Sequence, residues 1–293
     1  MKTICFASFI SRVLIASVLR ILLLQLCFLQ LPLSAAWSQV SEAPSTAPST
    51  DNPLVRNPSK KLERLEKVER LRILYYKPVY FAYSNPLTKL QYSFRAPLTE
   101  WFPVSFAYSQ LIFWKLHEDS KPFLDATYNP ELFYRWKAKT GDLQTIDFGI
   151  WEHNSNGRGG EGSRSFDQSY LRFNFAFEGR RWITQFTTKL RFIYNKDETN
   201  SDISDYISPI EFQVQFLQLF DYWFDESAFS LAMKPGGEYA HRWDRGGYEA
   251  GLSFRLGGLK IIPAFYLQYY HGYAESLLTY NKRVDQFRVG LLF

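Results

Sequence analysis

The sequence predicts an all-β chain, an antiparallel transmembrane β-barrel of about 12 strands, preceded by a signal peptide and a flexible linker. Three observations carry the prediction. From Ile73 to Phe293 apolar and polar residues alternate with period two, over stretches longer than the roughly 5–6 residues of an ordinary soluble strand. The breaks between these stretches are long and polar at one end and tight at the other, the two-sided pattern of a membrane barrel. The chain also holds 26 Phe, 19 Tyr and 8 Trp, 18% of its residues, material for aromatic girdles at two lipid–water boundaries.

Residues 1–36 read as a signal peptide. Lys2 and Arg12 come early, an apolar run covers Val13–Leu33 with one interruption at Arg20, and the small residues Ser34-Ala35-Ala36 follow. An uncleaved membrane anchor is the alternative. Cys5 and Cys27 both lie in this segment, so its removal leaves no thiol or disulfide chemistry. Residues 37–72 form a linker. Its first part is rich in Pro, Ser, Thr and Ala, a disordered composition. In Lys60–Arg72, Leu62, Leu65, Val68 and Leu71 recur among Lys, Glu and Arg, the pattern of a short amphipathic helix, either docked on the barrel mouth or solvated.

The barrel domain is expected over 73–293, with strands near 73–83, 89–96, 102–115, 128–139, 143–153, 168–178, 181–194, 209–221, 226–233, 247–256, 259–271 and 284–293. The alternation is plainest in Leu171, Phe173, Phe175 and Phe177 against Arg172, Asn174 and Glu178, and in Ile210, Phe212, Val214 and Phe216 against Glu211, Gln213 and Gln215. One face suits lipid and the other a polar lumen. Breaks at 116–127, 154–167, 195–208, 234–246 and 272–283 are long, whereas Gly179-Arg180 and Gly257-Gly258 mark tight turns. An even strand count puts both termini on the short-turn, periplasmic side. The chain ends Val289-Gly290-Leu291-Leu292-Phe293, similar to the terminal aromatic signal of many bacterial outer-membrane barrels. A mean hydropathy of −0.25 excludes a helical membrane protein. The net charge of +5 is scattered and gives no nucleic-acid surface.

The stretch that carries chemistry is His153-Asn154-Ser155-Asn156-Gly157-Arg158, followed by Ser163-Arg164-Ser165-Phe166-Asp167. Period two places His153 and Ser155 on one strand face. Asp167 shares parity with Leu171 and Phe173 and so points toward lipid, where a lone carboxylate is costly unless paired. Pairing with His153 on the neighbouring strand removes that cost. A Ser155 nucleophile, a His153 base, an Asp167 orienter and the Gly157 N–H as oxyanion donor make the parts of a serine hydrolase. One difficulty stands in the way. Phe148 and Ile150 look lipid-facing, which would turn His153 into the lumen, so a β-bulge is expected near Ile150–Glu152. His117, His241 and His271 lack a matching Ser/Asp constellation, and neither zinc spacing nor a phosphate loop is present.

These motifs resemble the bacterial outer-membrane phospholipase A family, whose pattern is His-x-Ser-Asn-Gly-Arg followed by Ser-Arg-Ser-aromatic-Asn. Lys121-Pro122-Phe123 through Tyr128-Asn129-Pro130-Glu131-Leu132-Phe133, and Gly272-Tyr273-Ala274-Glu275-Ser276-Leu277 with Tyr280-Asn281, are similar to further family segments. The resemblance implies a twelve-stranded outer-membrane barrel hydrolysing both acyl esters of glycerophospholipids, and lysophospholipids. It also implies dependence on Ca2+, activity as a homodimer, and a site outside the barrel at the outer-leaflet boundary. By position His153 is the base and Ser155 the nucleophile. Arg158 offers a backbone carbonyl and Ser163 a hydroxyl to calcium. Ser120 matches a loop serine that reaches the partner's calcium, and Gln110 a glutamine of the dimer interface. Two positions depart. Asp167 stands where the family has Asn, and is expected to keep the orienting role. Gly160 stands where it has a calcium-binding Asp, with Glu161 the adjacent substitute. Two other readings remain, a catalytically degenerate porin or structural barrel, and a barrel protease using water activated by Asp and His.

Overall fold

The computed structural model describes residues 76–99, 102–179, 182–220, 222–256 and 263–293. The predicted signal peptide, linker and amphipathic helix lie outside the described residues. Twelve strands follow in order: β1 (Tyr80–Tyr83), β2 (Thr88–Pro97), β3 (Val104–Trp114), β4 (Phe123–Lys137), β5 (Leu143–Ser155), β6 (Ser165–Glu178), β7 (Ile183–Tyr194), β8 (Ile210–Leu217), β9 (Phe224–Gly236), β10 (Arg242–Leu256), β11 (Ala264–Gly272) and β12 (Val284–Leu292). Each pairs antiparallel with its neighbours in sequence, and β1 closes on β12 with Tyr80 opposite Leu292. Closure gives every described strand a neighbour on both sides, as a lipid surround requires.

The alternation becomes two faces of a wall. Leu171, Phe177, Leu190, Phe192 and Phe287 are exposed on the outside, while Gln168, Lys189, Gln268 and Arg288 are buried within. Several strand borders differ from the expected ones. β4 begins at Phe123 rather than 128, and β10 at Arg242 rather than 247. Pairing continues beyond the apolar band, Trp114 with Phe123 and Gly236 with Arg242. There water replaces lipid, and alternation fades from the sequence although the ladder persists. β1 is shorter than expected. Tyr76 and Lys77 precede it and reach buried lumen groups instead, the Tyr76 hydroxyl donating to Glu131 (2.9 Å) and Lys77 Nζ lying 2.7 Å from the same carboxylate.

The lumen is filled by paired charges. Arg135 makes a bidentate contact with Asp147 at 2.6 and 2.8 Å. Lys89 meets Glu249 (2.8 Å) and Glu275 (3.3 Å), and Arg288 meets Glu275 at 2.6 and 3.1 Å. Glu275 belongs to the β11–β12 loop, which folds inward at the long-loop end. There Leu277 and Tyr280 pack with Phe166 and Ile203 in a small core. That core fixes the loops around the candidate site. Because Arg288 and Glu275 are both buried, removing one partner strands the other charge. Glu275→Ala is therefore expected to cost about 3–5 kcal/mol of stability, read as a lower urea midpoint for unfolding of the lipid-embedded barrel.

Candidate active site

The site begins with an extra residue in β5. Leu132 of β4 faces Trp151, but Phe133 faces Gly149, so Ile150 has no partner. Against β6 the register shifts over the same interval, from Gly149↔Tyr170 to Glu152↔Gln168. Ile150 and Trp151 are both exposed, and Glu152 is buried. This is the expected bulge, and it turns the strand by one residue so that His153 follows Asp167 to the outside. Two neighbours hold it. Ser169 Oγ donates to the Ile150 carbonyl (3.0 Å), which the bulge would otherwise leave bare. The Tyr170 ring lies 2.3 Å from where a Cβ on residue 149 would sit, so only glycine lets the strands close there.

Past the bulge, His153 lies directly opposite Asp167 and Ser155 opposite Ser165. His153 Nδ1 is 2.7 Å from Asp167 Oδ1. The same carboxylate accepts from Trp151 Nε1 (3.2 Å) and from Asn195 Nδ2 (3.0 Å), and the Trp151 ring stacks on the imidazole at 5.9 Å. An ionised carboxylate at Nδ1 selects the tautomer with the proton on Nδ1, leaving the Nε2 lone pair free to accept one. The Gly157 N–H donates to Ser155 Oγ (3.2 Å). Gly157 has φ +66° and sits against the Tyr128 ring, 3.0 Å from a would-be Cβ, so a side chain there meets both strain and a clash. His153 and Ser155 share the outward face, and no hydrogen bond joins them among the described residues.

A short loop, 156–164, replaces the longer break expected at 154–167, because β5 runs to Ser155 and β6 starts at Ser165. Asn156 is its clasp. It is buried, its Nδ2 donates to the Gly162 carbonyl (2.9 Å), and its Oδ1 accepts from the N–H groups of Arg158 (3.3 Å) and Arg164 (3.0 Å). The Arg158 guanidinium donates to the Leu124 carbonyl and ties the loop to β4. Ser163 Oγ donates to Asp197 Oδ2 (2.8 Å), and Asp197 accepts also from the Thr199 N–H (2.9 Å) and hydroxyl (2.7 Å). The Thr199 N–H and hydroxyl, then Ser163, hold the Asp197 carboxyl below the usual carboxylate range.

Among the described residues no three His, Cys, Asp or Glu side chains converge as a metal cluster. Two hard oxygen donors do meet here, the Ser163 hydroxyl and the Asp197 carboxylate (2.8 Å). That donor set fits calcium, which accepts carbonyl, hydroxyl, carboxylate and water oxygen in flexible geometry. Gly160 and Glu161 form a 3-10 turn beside it with Glu161 exposed, and the Glu161 carbonyl accepts from Arg164. The carboxylate hydrogen-bonded to Ser163 is Asp197, not Glu161. Ser120 lies apart in the exposed β3–β4 turn, with φ +62°, and no hydrogen bond among the described residues ties it to this loop. Gln110 faces outward on β3, accepting from Tyr92 and from Tyr108 (3.1 Å).

Asp197 and Asn195 escape a reading of the motif alone. They sit one hairpin further on, and their sequence signal is register. The tight turn between β6 and β7 sets Tyr194 opposite Asp167, which brings the next residues to the site. Asn195, at φ +48°, takes the left-handed conformation that Asn tolerates better than most residues.

The family model described as phospholipase A1 matches residues 61–293. Phospholipase A1 of Escherichia coli K12 is 31% identical over 193 residues, 63% of this chain and 59% of the relative's length. A putative phospholipase A1 of Neisseria meningitidis is 28% identical over 229 residues, 70% of this chain and 54% of its own. The match thus spans less than two thirds of these relatives. Among solved structures, outer membrane phospholipase A from Escherichia coli superposes with a TM-score of 0.63 at 24% identity, covering 76% of this chain and 92% of that one. The calcium-bound outer membrane phospholipase dimer of Salmonella typhi gives 0.63 at 23%, covering 76% and 93%.

If Asp167 sets the histidine tautomer, Asp167→Ala is expected to slow covalent labelling of Ser155 by a sulfonyl fluoride by about 10³- to 10⁴-fold. Asp167→Asn, whose amide oxygen still accepts from Nδ1, is expected to lose far less. Equal rates in the two variants would remove the orienting role.

Proposed function

The chain belongs to the phospholipase A1 family, and from that premise we propose that it hydrolyses acyl esters of glycerophospholipids at the outer-leaflet surface of the outer membrane. The observation that carries the reading is the His153–Asp167 pair, 2.7 Å apart on the lipid-facing side of the wall and two residues from Ser155. What gives that pair a catalytic reading is its company, Ser155 on the same face with the Gly157 N–H on its Oγ (3.2 Å). The filled lumen argues against the porin alternative, because a conducting pore needs an open polar channel.

Ser155 Oγ attacks the ester carbonyl while its proton passes to His153 Nε2. Asp167 stabilises the resulting imidazolium through Nδ1, and Trp151 and Asn195 keep that carboxylate oriented. The Gly157 N–H, now on Ser155 Oγ, is near enough to donate to the developing oxyanion. The proton on Nε2 then goes to the departing lysolipid alkoxide, leaving acyl-Ser155. Water, deprotonated by His153, attacks that ester and releases the fatty acid. Aromatic side chains on this face, Tyr128 and Trp151 among them, offer surface to acyl chains and exclude water. Asp197, Ser163 and the Arg158 carbonyl are the residues proposed to hold calcium, with Glu161 the alternative acidic donor. When bound, calcium supplies positive charge for the oxyanion. A second copy, meeting this one through the face that carries Gln110, would bring its own Ser120 loop to the site and complete a groove for the substrate chains.

Fatty-acid release from phosphatidylethanolamine in detergent is the test. Ser155→Ala is expected to abolish it, and persistent release would refute the assignment of the nucleophile. Asp197→Asn is expected to raise the calcium needed for half-activation by roughly 10-fold or more, with Glu161→Ala changing it little. The reverse pattern would transfer the metal role to Glu161. The direction with pH follows from the lowered Asp197 carboxyl. Its charge, and so calcium activation, is present above the ordinary carboxylate pKa of about 4 and persists below it. It disappears only as pH falls through the depressed value.

A further inference from the structure

The β4–β5 ladder has a gap beside His153. Tyr128 pairs with Ser155 and Glu131 with Glu152, but Asn129 and Pro130 pair with nothing on β5, although the register is the same on both sides. Strand parity shows what is missing. In β4 the Arg135 N–H points to Pro103 on the β3 side, and the Ala138 N–H points to Gln144 on the β5 side. Peptide groups alternate along a strand, so even-numbered β4 residues face β5. In β5 the Asn156 N–H points to Arg164, so odd-numbered residues there face β4. The partner due to the His153 carbonyl is therefore the N–H of residue 130. Proline has none.

Asn129 fills the gap from inside the barrel. Its buried side chain donates from Nδ2 to the His153 carbonyl (3.0 Å), and also reaches Glu152 Oε1 (3.0 Å) and Asn154 Oδ1 (3.1 Å). One amide nitrogen thus touches three successive residues of the strand that carries His153. Its orientation is set by Lys77, whose Nζ donates to Asn129 Oδ1 (2.7 Å). An amide oxygen occupied by an ammonium cannot exchange places with the nitrogen, so the donor is held toward β5.

We infer that Asn129 is a positioning residue for His153, supplying from the lumen the backbone hydrogen bond that Pro130 cannot make. The inference rests on the hydrolase reading above. It adds a link from the segment before β1, through Lys77 and Asn129, to the outward-facing imidazole. The bulge aims His153 outward; the Asn129 bond fixes how far its Cα can drift relative to Asp167 on one side and the loop of Ser155 on the other. Displacements of about 1 Å in such a group cost up to 100-fold in rate.

Pro130 makes the test specific. Asn129→Ala is expected to lower kcat for phosphatidylethanolamine hydrolysis about 10-fold or more with KM unchanged and the barrel still folded. Pro130→Ala alone should stay near wild type. In Asn129→Ala/Pro130→Ala the restored peptide N–H can take the His153 carbonyl, and most of the lost kcat should return. Lost packing in the lumen would not be repaired by that change. Wild-type kcat in Asn129→Ala overturns the inference, and so does a double variant as slow as the single one. A wild type that releases no fatty acid refutes the hydrolase reading instead. The nitrogen NMR signature of the His153 tautomer still decides the inference there. A single Nδ1–H form that is lost in Asn129→Ala and regained in the double variant upholds it, and an unchanged spectrum overturns it.

Discussion

The arrangement of this barrel depends on one unpaired residue, Ile150. A β-strand in a membrane wall has no freedom over its faces, since odd and even residues go to opposite solvents. Up to Gly149, β5 sends even-numbered residues to lipid, and from Glu152 it sends odd-numbered ones. Without that inversion Glu152 would face hydrocarbon and His153 would join a lumen already filled with carboxylates and cations. With it, each goes where its chemistry is tolerated. Glu152 meets Lys189 inside, and His153 meets Asp167 outside.

The two sides of the wall then divide the work. Inside, ionised groups are satisfied by each other, Arg135 with Asp147, Arg288 with Glu275, Lys77 and Arg172 with Glu131. Such pairs are costly to break and leave little room for motion. Outside, the imidazole and its carboxylate need a rigid frame but also access to lipid. The lumen network supplies that frame at short range, because Glu152 and Asn129 grip the same strand whose other face carries His153. A catalytic group on a membrane wall can be held from behind by the polar interior without obstructing its lipid-facing side.

Much of this could be read from residue order. Period-two patterning gave the strands, loop lengths gave the two ends, and the adjacency of Ile150 and Trp151, both too apolar for the lumen, required the bulge. Strand borders beyond the apolar band were illegible, because β4 above Tyr128 and β10 before Gly247 have water on the outer face and no reason to alternate. Asp197, Asn195 and Asn129 were illegible for a different reason. Each reaches the site through the register of another hairpin or through a missing peptide N–H, and neither leaves a motif around Ser155. Proline in a central strand was the available clue to Asn129, since its ladder bond must be replaced or forgone.

A second His–Asp pair shows what the pair alone is worth. His271 and Asp285 lie opposite each other on β11 and β12, fourteen residues apart like His153 and Asp167. Tyr269 stacks on His271 at 6.4 Å, much as Trp151 stacks on His153. Yet Arg283 Nη2 lies 2.8 Å from His271 Nε2. A guanidinium only donates, so Nε2 must accept, and the lone pair that a base would use is already taken by a group that cannot give up its proton at any ordinary pH. Asp285 is also largely exposed and 3.2 Å from the ring. The difference between the two pairs therefore lies on the far nitrogen. On His153 no hydrogen bond from the described residues occupies Nε2, and Ser155, with the Gly157 N–H on its Oγ (3.2 Å), follows two residues on along the same face. On His271 an arginine closes that position. An outward-facing imidazole bonded to a carboxylate is thus common to both rims of the β5–β6 and β11–β12 hairpins, and chemistry is possible only where the strand end adds a serine and leaves Nε2 open.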